Sequence, residues 1–356
     1  MSSPAPGAPT VSVIIPAYNG AGLIGETLAS LGTQTLTDWE AIVVDDVSSD
    51  TTREVVAAWP DRRVRLLCNQ ENSGPVRTRN RAAGEARGRY IAALDQDDLC
   101  LPDRFARQVA FLDAHPEVAL LGTAADFLCD GVVRPSTYAP VTTPALLAWL
   151  TRIENPIVWS TVMVRSEVTR ALDPFTRPEI LYAEDFDLYH RVQALGSIAC
   201  IDEPLLHYRQ HPGGASKRFT DTMRASAMRV LAEVHAPLFG ARAGDVARLL
   251  VLHNMGGEPV PDRSTLITLG DAIGTIQAHF LANHPVSADD RKLIKWETAQ
   301  RWGRIGRTAL RSGTLGLADI LAVRPEHMGL GYAGLDALLW SGAIGGTRRA
   351  RRAAAR

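Results

Sequence analysis

The feature that most constrains the fold of this chain is a series of apolar, strand-length segments that alternate with helical segments over the first hundred residues. These segments are rich in β-branched residues and have no polar face. They are VSVIIPAY (11–18), WEAIVVDD (39–46), RVRLLCN (63–69) and RYIAALDQDD (89–98). Strands that are apolar on both faces and alternate with helices are typical of parallel sheets covered by helices. The sequence therefore predicts an α/β fold with a mostly parallel central sheet and helices on both faces.

The length of 356 residues is enough for two domains. A mixed pattern of short strands and helices follows the first four strands, and we expect it to complete the same domain. Beyond residue 218 the apolar spacing indicates helices only, with a Gly/Pro break at GGEPVPDRST. The predicted organisation is a disordered leader (1–10), an α/β domain (11–217), a helical region with an acceptor or assembly role (218–346) and an Arg-rich tail (347–356).

Composition excludes several classes of protein. The only lysines are Lys217, Lys292 and Lys295, which excludes a P-loop or Schiff-base lysine in the first two hundred residues. A net charge of −1 gives no overall field for nucleic acid, so we expect no nucleic-acid partner. No apolar run reaches the ~18–20 residues of a spanning helix, the N-terminus lacks the features of a signal peptide, and the four cysteines are scattered. We therefore expect a cytoplasmic protein.

Carboxylates follow two of the predicted strands directly, as Asp45 and Asp46 and as Asp95 and Asp97. Ligands of parallel sheets bind outside the carboxyl ends of the strands, so these acids are expected to share one cleft. Residues two apart in a strand point the same way, so Asp95 and Asp97 converge while Asp98 turns aside. Converging oxygens suit Mg²⁺ or Mn²⁺. The alternative is that the acids only cap the following turn.

Five segments, in this order, resemble the inverting family 2 glycosyltransferases, which have the GT-A, nucleotide-diphospho-sugar transferase fold. They are VSVIIPAYNG, AIVVDDVSSDTT, RNRAAGEARGRYIAALDQDD, LPDR and AEDFDLYHR. The resemblance covers about residues 10–215 and says nothing about the helical remainder. One departure is Val47, where the family usually has Gly, Ser or Asn. The resemblance implies metal-dependent transfer of a sugar from a UDP- or dTDP-linked donor to a hydroxyl of a glycan, a lipid-linked saccharide or a small molecule.

The resemblance also implies site residues. Asp45 would accept a hydrogen bond from a nucleobase N–H, as of uracil N3–H. Arg79 would face the diphosphate or the ribose. The whole implied set comprises Pro16, Ala17, Tyr18 and Asp45 at the nucleobase, Arg79, Asp95 and Gln96 along the rest of the donor, and Asp97 and His211 as ligands of Mn²⁺ or Mg²⁺.

The catalytic base is expected on the segment AEDFDLYHRVQALG. A series at i, i+3, i+4 and i+7 predicts one helix face that points inward; it consists of Asp185, Leu188, Tyr189 and Val192. On this pattern Asp185 points inward, whereas Glu184 and Asp187 lie off the face. A helix N-terminus favours the ionised carboxylate that a general base requires, although such an acid can also merely complement the helix dipole. The family's matching Glu-Asp pair implies that Asp185 deprotonates the acceptor.

Three other functions remain open. A sugar nucleotidyltransferase also has acids at strand ends, but the loop PAYNGAGLIGE lacks the basic residues that hold a triphosphate. A phosphoacceptor receiver module would need a lysine at a later strand end, and no lysine precedes Lys217. A non-catalytic sugar-nucleotide binder would not need the complete set of strand-end acids that this chain has. At the C-terminus, the apolar segment LGYAGLDALLWSGAIGG followed by TRRARRAAAR would allow peripheral contact with the inner face of a membrane.

Overall fold

The computed structural model describes residues 7–135, 141–325 and 335–354. Most of the predicted leader (residues 1–6) and the last two residues of the predicted tail lie outside the described residues. Contacts divide the chain into two compact units. The first comprises Met1–Pro144 and Pro156–Ser226, and the second comprises Ala145–Asn155 and Ala227–Arg356. The boundaries predicted for the domains and the tail remain predictions.

The strands of the first unit carry the apolar, β-branched segments that the sequence pattern singled out. Strand β2 is buried along its whole length and β1 at every residue except Pro16, whereas β3 is half-buried. The strands are β1 (Val11–Ala17), β2 (Trp39–Asp45), β3 (Val64–Cys68), β4 (Tyr90–Ala93), β5 (Leu99–Cys100), β6 (Val118–Cys129), β7 (Val132–Arg134), β8 (Met163–Arg165) and β9 (Ser197–Gln210).

The strands form one sheet in the order β3-β2-β1-β4-β8-β6-β9-β5, and β7 pairs with β6. The first four strands are parallel, with β1 between β2 and β4. Strand β8 runs antiparallel to β4 and β6, so the sheet as a whole is mixed. The predicted α/β fold is confirmed, and the carboxyl ends of β1, β2 and β4 are neighbours.

The segment of β9, SIACIDEPLLHYRQ, contains Pro204, and a proline usually interrupts a strand. In the structure it is one long strand, parallel to β6, with irregular register around Pro204. A bulge therefore absorbs the proline, as is common where a proline lies within a strand.

Helices connect the strands of the first unit, and each begins just after a strand or a turn. Within α1, the buried residues Ile24, Thr27, Leu28 and Leu31 recur at helical spacing on one face. The helices are α1 (Ile24–Gly32), α2 (Thr52–Ala57), α3 (Gly74–Gly84), α4 (Arg104–Ala114), α5 (Pro144–Leu150), α6 (Ser166–Ala171), α7 (Glu184–Val192) and α8 (Ala215–Arg218), with a 3₁₀ turn at Trp159–Thr161. Of these, α5 belongs to the second unit except for its first residue.

The remainder of the described chain is helical, as predicted. Asp262 caps α11 by accepting from the Thr265 amide at 2.8 Å, so this helix begins within the last residues of the predicted Gly/Pro break. The helices are α9 (Thr220–Phe239), α10 (Ala243–Leu249), α11 (Arg263–Asn283), α12 (Ala288–Ser312), α13 (Leu317–Ala322) and α14 (Leu335–Ala354), with a 3₁₀ turn at Gly240–Arg242 and a π-helical turn at Leu250–Met255. Among the described residues, no helix is long and apolar enough to cross a bilayer.

Candidate active site

The loops that follow β1 and β2 are joined by hydrogen bonds at the carboxyl edge of the sheet. Asn19 donates its backbone amide to Ser48 Oγ at 3.0 Å, and its side-chain Oδ1 accepts from the Ser49 amide at 2.8 Å. The Gly20 amide donates to Thr52 Oγ1 at 2.9 Å. Asn19 has a φ of +48°, a left-handed conformation that asparagine tolerates better than most residues. These bonds fix one wall of the cleft that the strand-end acids were expected to share.

Asp45 ends β2 and is fully buried. Its Oδ2 accepts from Arg53 Nε at 2.6 Å and from the Ser48 amide at 3.1 Å. Its Oδ1 is buried and has no hydrogen-bond partner among the described residues. A buried carboxylate oxygen without a partner is costly unless a ligand or water donates to it. One oxygen is therefore anchored, and the other is available as an acceptor.

Asp46 and Val47 shape the turn after β2. Asp46 Oδ1 accepts from the Ser73 amide and its Oδ2 from the Gly74 amide, both at 2.8 Å, so this acid holds the start of α3. Val47 has a φ of +64°. This conformation is unfavourable for a β-branched residue, whereas Gly and Asn adopt it more easily.

Tyr18 and Gln96 connect the loop after β1 to the loop after β4. The Gln96 amide accepts from the Tyr18 backbone N–H at 2.9 Å and donates to its carbonyl at 3.0 Å. A Cβ at Gly20 would lie 2.3 Å from Gln96 Oε1, so a larger residue here would displace the Gln96 side chain from its bonds to Tyr18. Tyr18 itself is 48% exposed beside Pro16 and Ala17, which form the end of β1. The expected pocket residues are thus together at one strand end, and the donor-binding role of Gln96 remains a prediction.

Asp95 lies just beyond β4, among other charged groups. Burial raises its pKa to about 6, with smaller contributions in the same direction from Asp97 and Glu184, while Arg79 opposes the shift. Because this folded pKa is above the ordinary 3.8, the group stabilises the fold at low pH. That contribution is lost as the pH rises through about 6.

Asp98 is buried, at 1% exposure, and its Oδ1 accepts from the Arg209 amide of β9 at 2.8 Å. Burial, followed by the charges of Asp97 and Asp95, raises its pKa well above the ordinary range. The sequence argument that Asp98 turns away from the other two acids agrees with this placement.

Asp97 and His211 meet although they are 114 residues apart in the chain. His211 Nε2 lies 2.8 Å from Asp97 Oδ2, and both side chains are partly exposed. The ring of His211 is also close to Gly213, where a Cβ would lie 3.2 Å from Nδ1. The structure therefore brings together the two residues expected to bind a metal ion.

Arg79 joins the acids on the two sides of the site. Its guanidinium forms an ion pair with Glu184, lies 3.4 Å from Asp95 Oδ1, and is 4.4 Å from the centre of the Trp159 ring. Both Arg79 and Glu184 are buried, and Glu184 Oε2 has no hydrogen-bond partner among the described residues. The expected contact of Arg79 with the diphosphate or ribose remains a prediction.

The three acids at the start of α7 correct one argument made from the sequence. Glu184 and Asp187 are buried, whereas Asp185 is half-exposed, the reverse of the expected pattern. Asp187 is paired with Arg177 at 2.6 Å and with Arg191 at 3.4 Å. Helix α7 is buried on most of its sides. Pairing with arginines, and not a single apolar face, therefore decides which of its acids are buried.

Asp185 is thus partly exposed in the first turn of α7. Its Oδ1 accepts from the Phe186 amide at 2.7 Å. The corrected placement still suits a base, because a base must reach a proton on a bound molecule.

Three residues with clear roles in the site were not predicted: Arg53, which anchors Asp45; Glu184, which pairs with Arg79; and Arg209. Arg209 donates from Nε to the Asp97 carbonyl at 2.8 Å and pairs with Glu26 at 2.6 Å. Nothing in the local sequence distinguishes these residues from surface charges. Their partners lie far away in sequence, except for Arg53, which is eight residues from Asp45.

Part of the chain is similar to known proteins. Residues 12–172 match the family Glycosyl transferase family 2. An uncharacterized glycosyltransferase of Haemophilus influenzae is 27% identical over 235 residues, which are 63% of this chain and 73% of that protein. WfgD of Escherichia coli, a UDP-Glc:alpha-D-GlcNAc-diphosphoundecaprenol beta-1,3-glucosyltransferase, is 39% identical over 102 residues, which are 29% of this chain and 40% of that enzyme.

A solved structure shares the fold. The mannosyltransferase PcManGT of Pyrobaculum calidifontis, in complex with GDP-Man and Mn²⁺, matches with a TM-score of 0.52 and 20% identity over 83% of this chain and 82% of that one. At this identity the match establishes the fold alone.

Proposed function

We propose that this chain, a member of glycosyl transferase family 2, transfers a sugar from a nucleotide-diphospho-sugar to an acceptor hydroxyl, with a divalent metal ion and with inversion at the anomeric carbon. The observation that carries the proposal is the contact of Asp97 with His211 beside the other strand-end acids. Two such groups, distant in the chain and partly exposed, have no evident structural need for each other.

Asp97 and His211 fit a divalent ion. The 2.8 Å between Asp97 Oδ2 and His211 Nε2 is close to the roughly 3 Å between neighbouring ligands of an octahedral ion with ~2.1 Å bonds. No cluster of three or more His, Cys, Asp or Glu suited to a metal occurs in the described part of the chain, so donor phosphates and water would complete the coordination. A bound Mn²⁺ or Mg²⁺ would neutralise the negative charge of the departing nucleoside diphosphate.

The nucleoside end of the donor would bind between the joined loops after β1 and β2. Asp45 Oδ1 would accept the N3–H of a uracil or thymine, since that oxygen is buried and has no partner among the described residues. The exposed ring of Tyr18 would contact the base, with Pro16 and Ala17 alongside. WfgD, by its name, uses UDP-Glc, which supports a uridine donor.

Asp185 would act as the general base. It is the least buried of the three acids of α7, and a base must reach a proton on a bound molecule. It would take the proton of the acceptor hydroxyl while that oxygen attacks the anomeric carbon and the bond to the nucleoside diphosphate breaks. A single displacement of this kind inverts the anomeric configuration.

The acceptor would be a lipid-linked saccharide presented at a membrane surface. Helix α14 exposes Leu339 (61%) and Trp340 (67%), and the sequence adds Arg348, Arg349 and further arginines towards its end. Exposed aromatic and aliphatic groups beside basic residues suit an anionic lipid surface. WfgD, by its name, acts on a diphosphoundecaprenol-linked acceptor.

Calorimetric titration with UDP, dTDP and GDP, each with Mn²⁺ and with EDTA, tests the donor side. We expect tighter binding of UDP or dTDP with Mn²⁺, and loss of the metal effect in Asp97→Asn and His211→Ala. Asp113→Asn, which alters an exposed carboxylate paired with Arg89, is the control and should bind like wild type. Equal affinity with and without metal in wild type, or a preference for GDP, would contradict the donor assignment.

Asp185→Asn tests the base. General-base catalysis contributes roughly 10²–10⁴-fold in rate, so transfer from a UDP-sugar to a panel of glycan, polyprenyl-linked and small-molecule acceptors should fall by about that factor. Nucleotide affinity should stay within about threefold of wild type, because Asp185 faces the acceptor. Near-normal turnover, or a product that keeps the anomeric configuration of the donor, would contradict this role.

A further inference from the structure

Tyr182 lies three residues before Asp185 and has an unusual backbone. Its φ is +62°, in the left-handed region that an aromatic residue rarely adopts. Such a conformation persists only where the surrounding structure imposes it, and it occurs preferentially at functional sites. Ala183, the next residue, is the N-cap of α7. The conformation of Tyr182 therefore sets the point from which the helix that carries Asp185 begins.

The contact that holds Tyr182 is a stacked ring. Its ring and that of Phe219 are parallel to within 6°, with centres 4.4 Å apart. Arg218 places its guanidinium 5.4 Å from the centre of the Phe219 ring, so the aromatic pair also has a cationic neighbour. Aromatic pairs in contact contribute more than their buried area alone.

Phe219 ends the segment that begins at His211. Successive backbone hydrogen bonds connect this 211–219 segment: Gly214 donates to the His211 carbonyl and Lys217 to the Gly214 carbonyl, both at 3.1 Å, and Phe219 donates to the Ala215 carbonyl at 2.9 Å. Because the segment is internally bonded, the position of Phe219 constrains the position of His211. His211 in turn contacts Asp97.

We propose that the Tyr182–Phe219 stack is a positioning contact that couples the metal side of the site, through His211, to the base side, through Asp185. Tyr182 and Phe219 hold two separate parts of the chain in one arrangement. When the stack is lost, the 211–219 segment is no longer held against the turn before α7. This role rests on the proposed function, because it assigns a shared purpose to the candidate metal ligand and the candidate base.

The test is a double-variant cycle on the full chain, with Tyr182→Gly, Phe219→Leu and both together. The readout is the affinity for whichever of UDP, dTDP or GDP wild type binds best, measured with Mn²⁺ and with EDTA. We expect each single variant to lose about 3- to 10-fold in the presence of Mn²⁺ and to match wild type in EDTA. The double variant should lose no more than the worse single variant, because the two rings act as one contact.

Conservative variants distinguish a stack from a general effect on folding. Tyr182→Phe and Phe219→Tyr keep parallel rings and should restore affinity with Mn²⁺ to within about twofold of wild type. Urea denaturation of the metal-free variants shows that each is folded. Single variants that bind like wild type, losses of equal size in EDTA, or losses that add in the double variant would each overturn the coupling. Wild-type binding without any metal dependence would instead contradict the proposed function itself.

Discussion

The buried ion pair between Arg79 and Glu184 allows a quantitative prediction. The two side chains are 5% and 7% exposed, and Glu184 Oε2 has no second partner among the described residues. Arg79→Met would leave the Glu184 carboxylate buried without its cation. Breaking a buried pair from one side costs about 3–5 kcal/mol, so the free energy of unfolding should fall by about that amount.

Removing both charges should cost much less than removing one. In Arg79→Met/Glu184→Leu no charge remains buried without a partner, and replacing a buried pair with apolar side chains is often neutral. Asp95, the other partner of Arg79, is 35% exposed, so water can solvate it. We therefore expect the double variant to lie within about 1 kcal/mol of wild type, and Glu184→Leu alone to fall between the two.

The assay is urea denaturation at pH 7 followed by tryptophan fluorescence, with UDP binding measured in parallel. Arg89→Met is the matched control, because it removes the same charge from an exposed pair with Asp113 and should cost less than about 1 kcal/mol. A loss below 1 kcal/mol for Arg79→Met, or a double variant as unstable as the single one, would refute the reasoning. If UDP affinity falls while stability does not, Arg79 serves the diphosphate, as the family resemblance implied.

Three further predictions concern other parts of the chain. The kcat/KM for the donor should fall below about pH 6, because the raised pKa of Asp95 leaves it protonated there; a profile that stays flat down to pH 5 would contradict this. Val47→Asn should stabilise the protein by about 1 kcal/mol in urea denaturation, because asparagine tolerates the left-handed backbone better than valine; a loss of stability would show that the valine side chain is needed. Trp340→Ala should reduce co-sedimentation with anionic vesicles several-fold and Trp296→Ala, another exposed tryptophan, should not; equal behaviour would count against contact through α14.

The parts of this structure that depend on nearby residues could be predicted from the sequence. Apolar, β-branched runs predicted the first four strands, and the parallel pairing of these strands brings the acids that follow β2 and β4 to the same edge of the sheet. Strand β9 could not be predicted as one strand, because a proline usually interrupts a strand and only the pairing with β6 shows that the irregular register accommodates it.

The charges inside the site could not be predicted from the sequence. The apolar-face argument treated Glu184 and Asp187 as surface acids, since a lone carboxylate is rarely buried. Each is buried because an arginine from elsewhere compensates it: Arg79 is 105 residues from Glu184, and Arg177 approaches Asp187 from the preceding loop. Hydrophobic periodicity carries no information about such pairs. The contact of Asp97 with His211 was expected only from the family resemblance.

The distribution of these pairs gives an electrostatic reason to expect a metal ion. Arg53 is engaged by Asp45, Arg79 by Glu184 and Asp95, and Arg209 by Glu26 and the Asp97 carbonyl. The arginines that contact the site's acids are therefore already compensating protein charges. In the proposed reaction a departing nucleoside diphosphate would add negative charge next to Asp95 and Asp97, and the pKa of Asp95 is already raised. A divalent ion held by Asp97 and His211 would compensate both the Asp97 carboxylate and the diphosphate. Arg79 cannot do this, because it already pairs with two carboxylates.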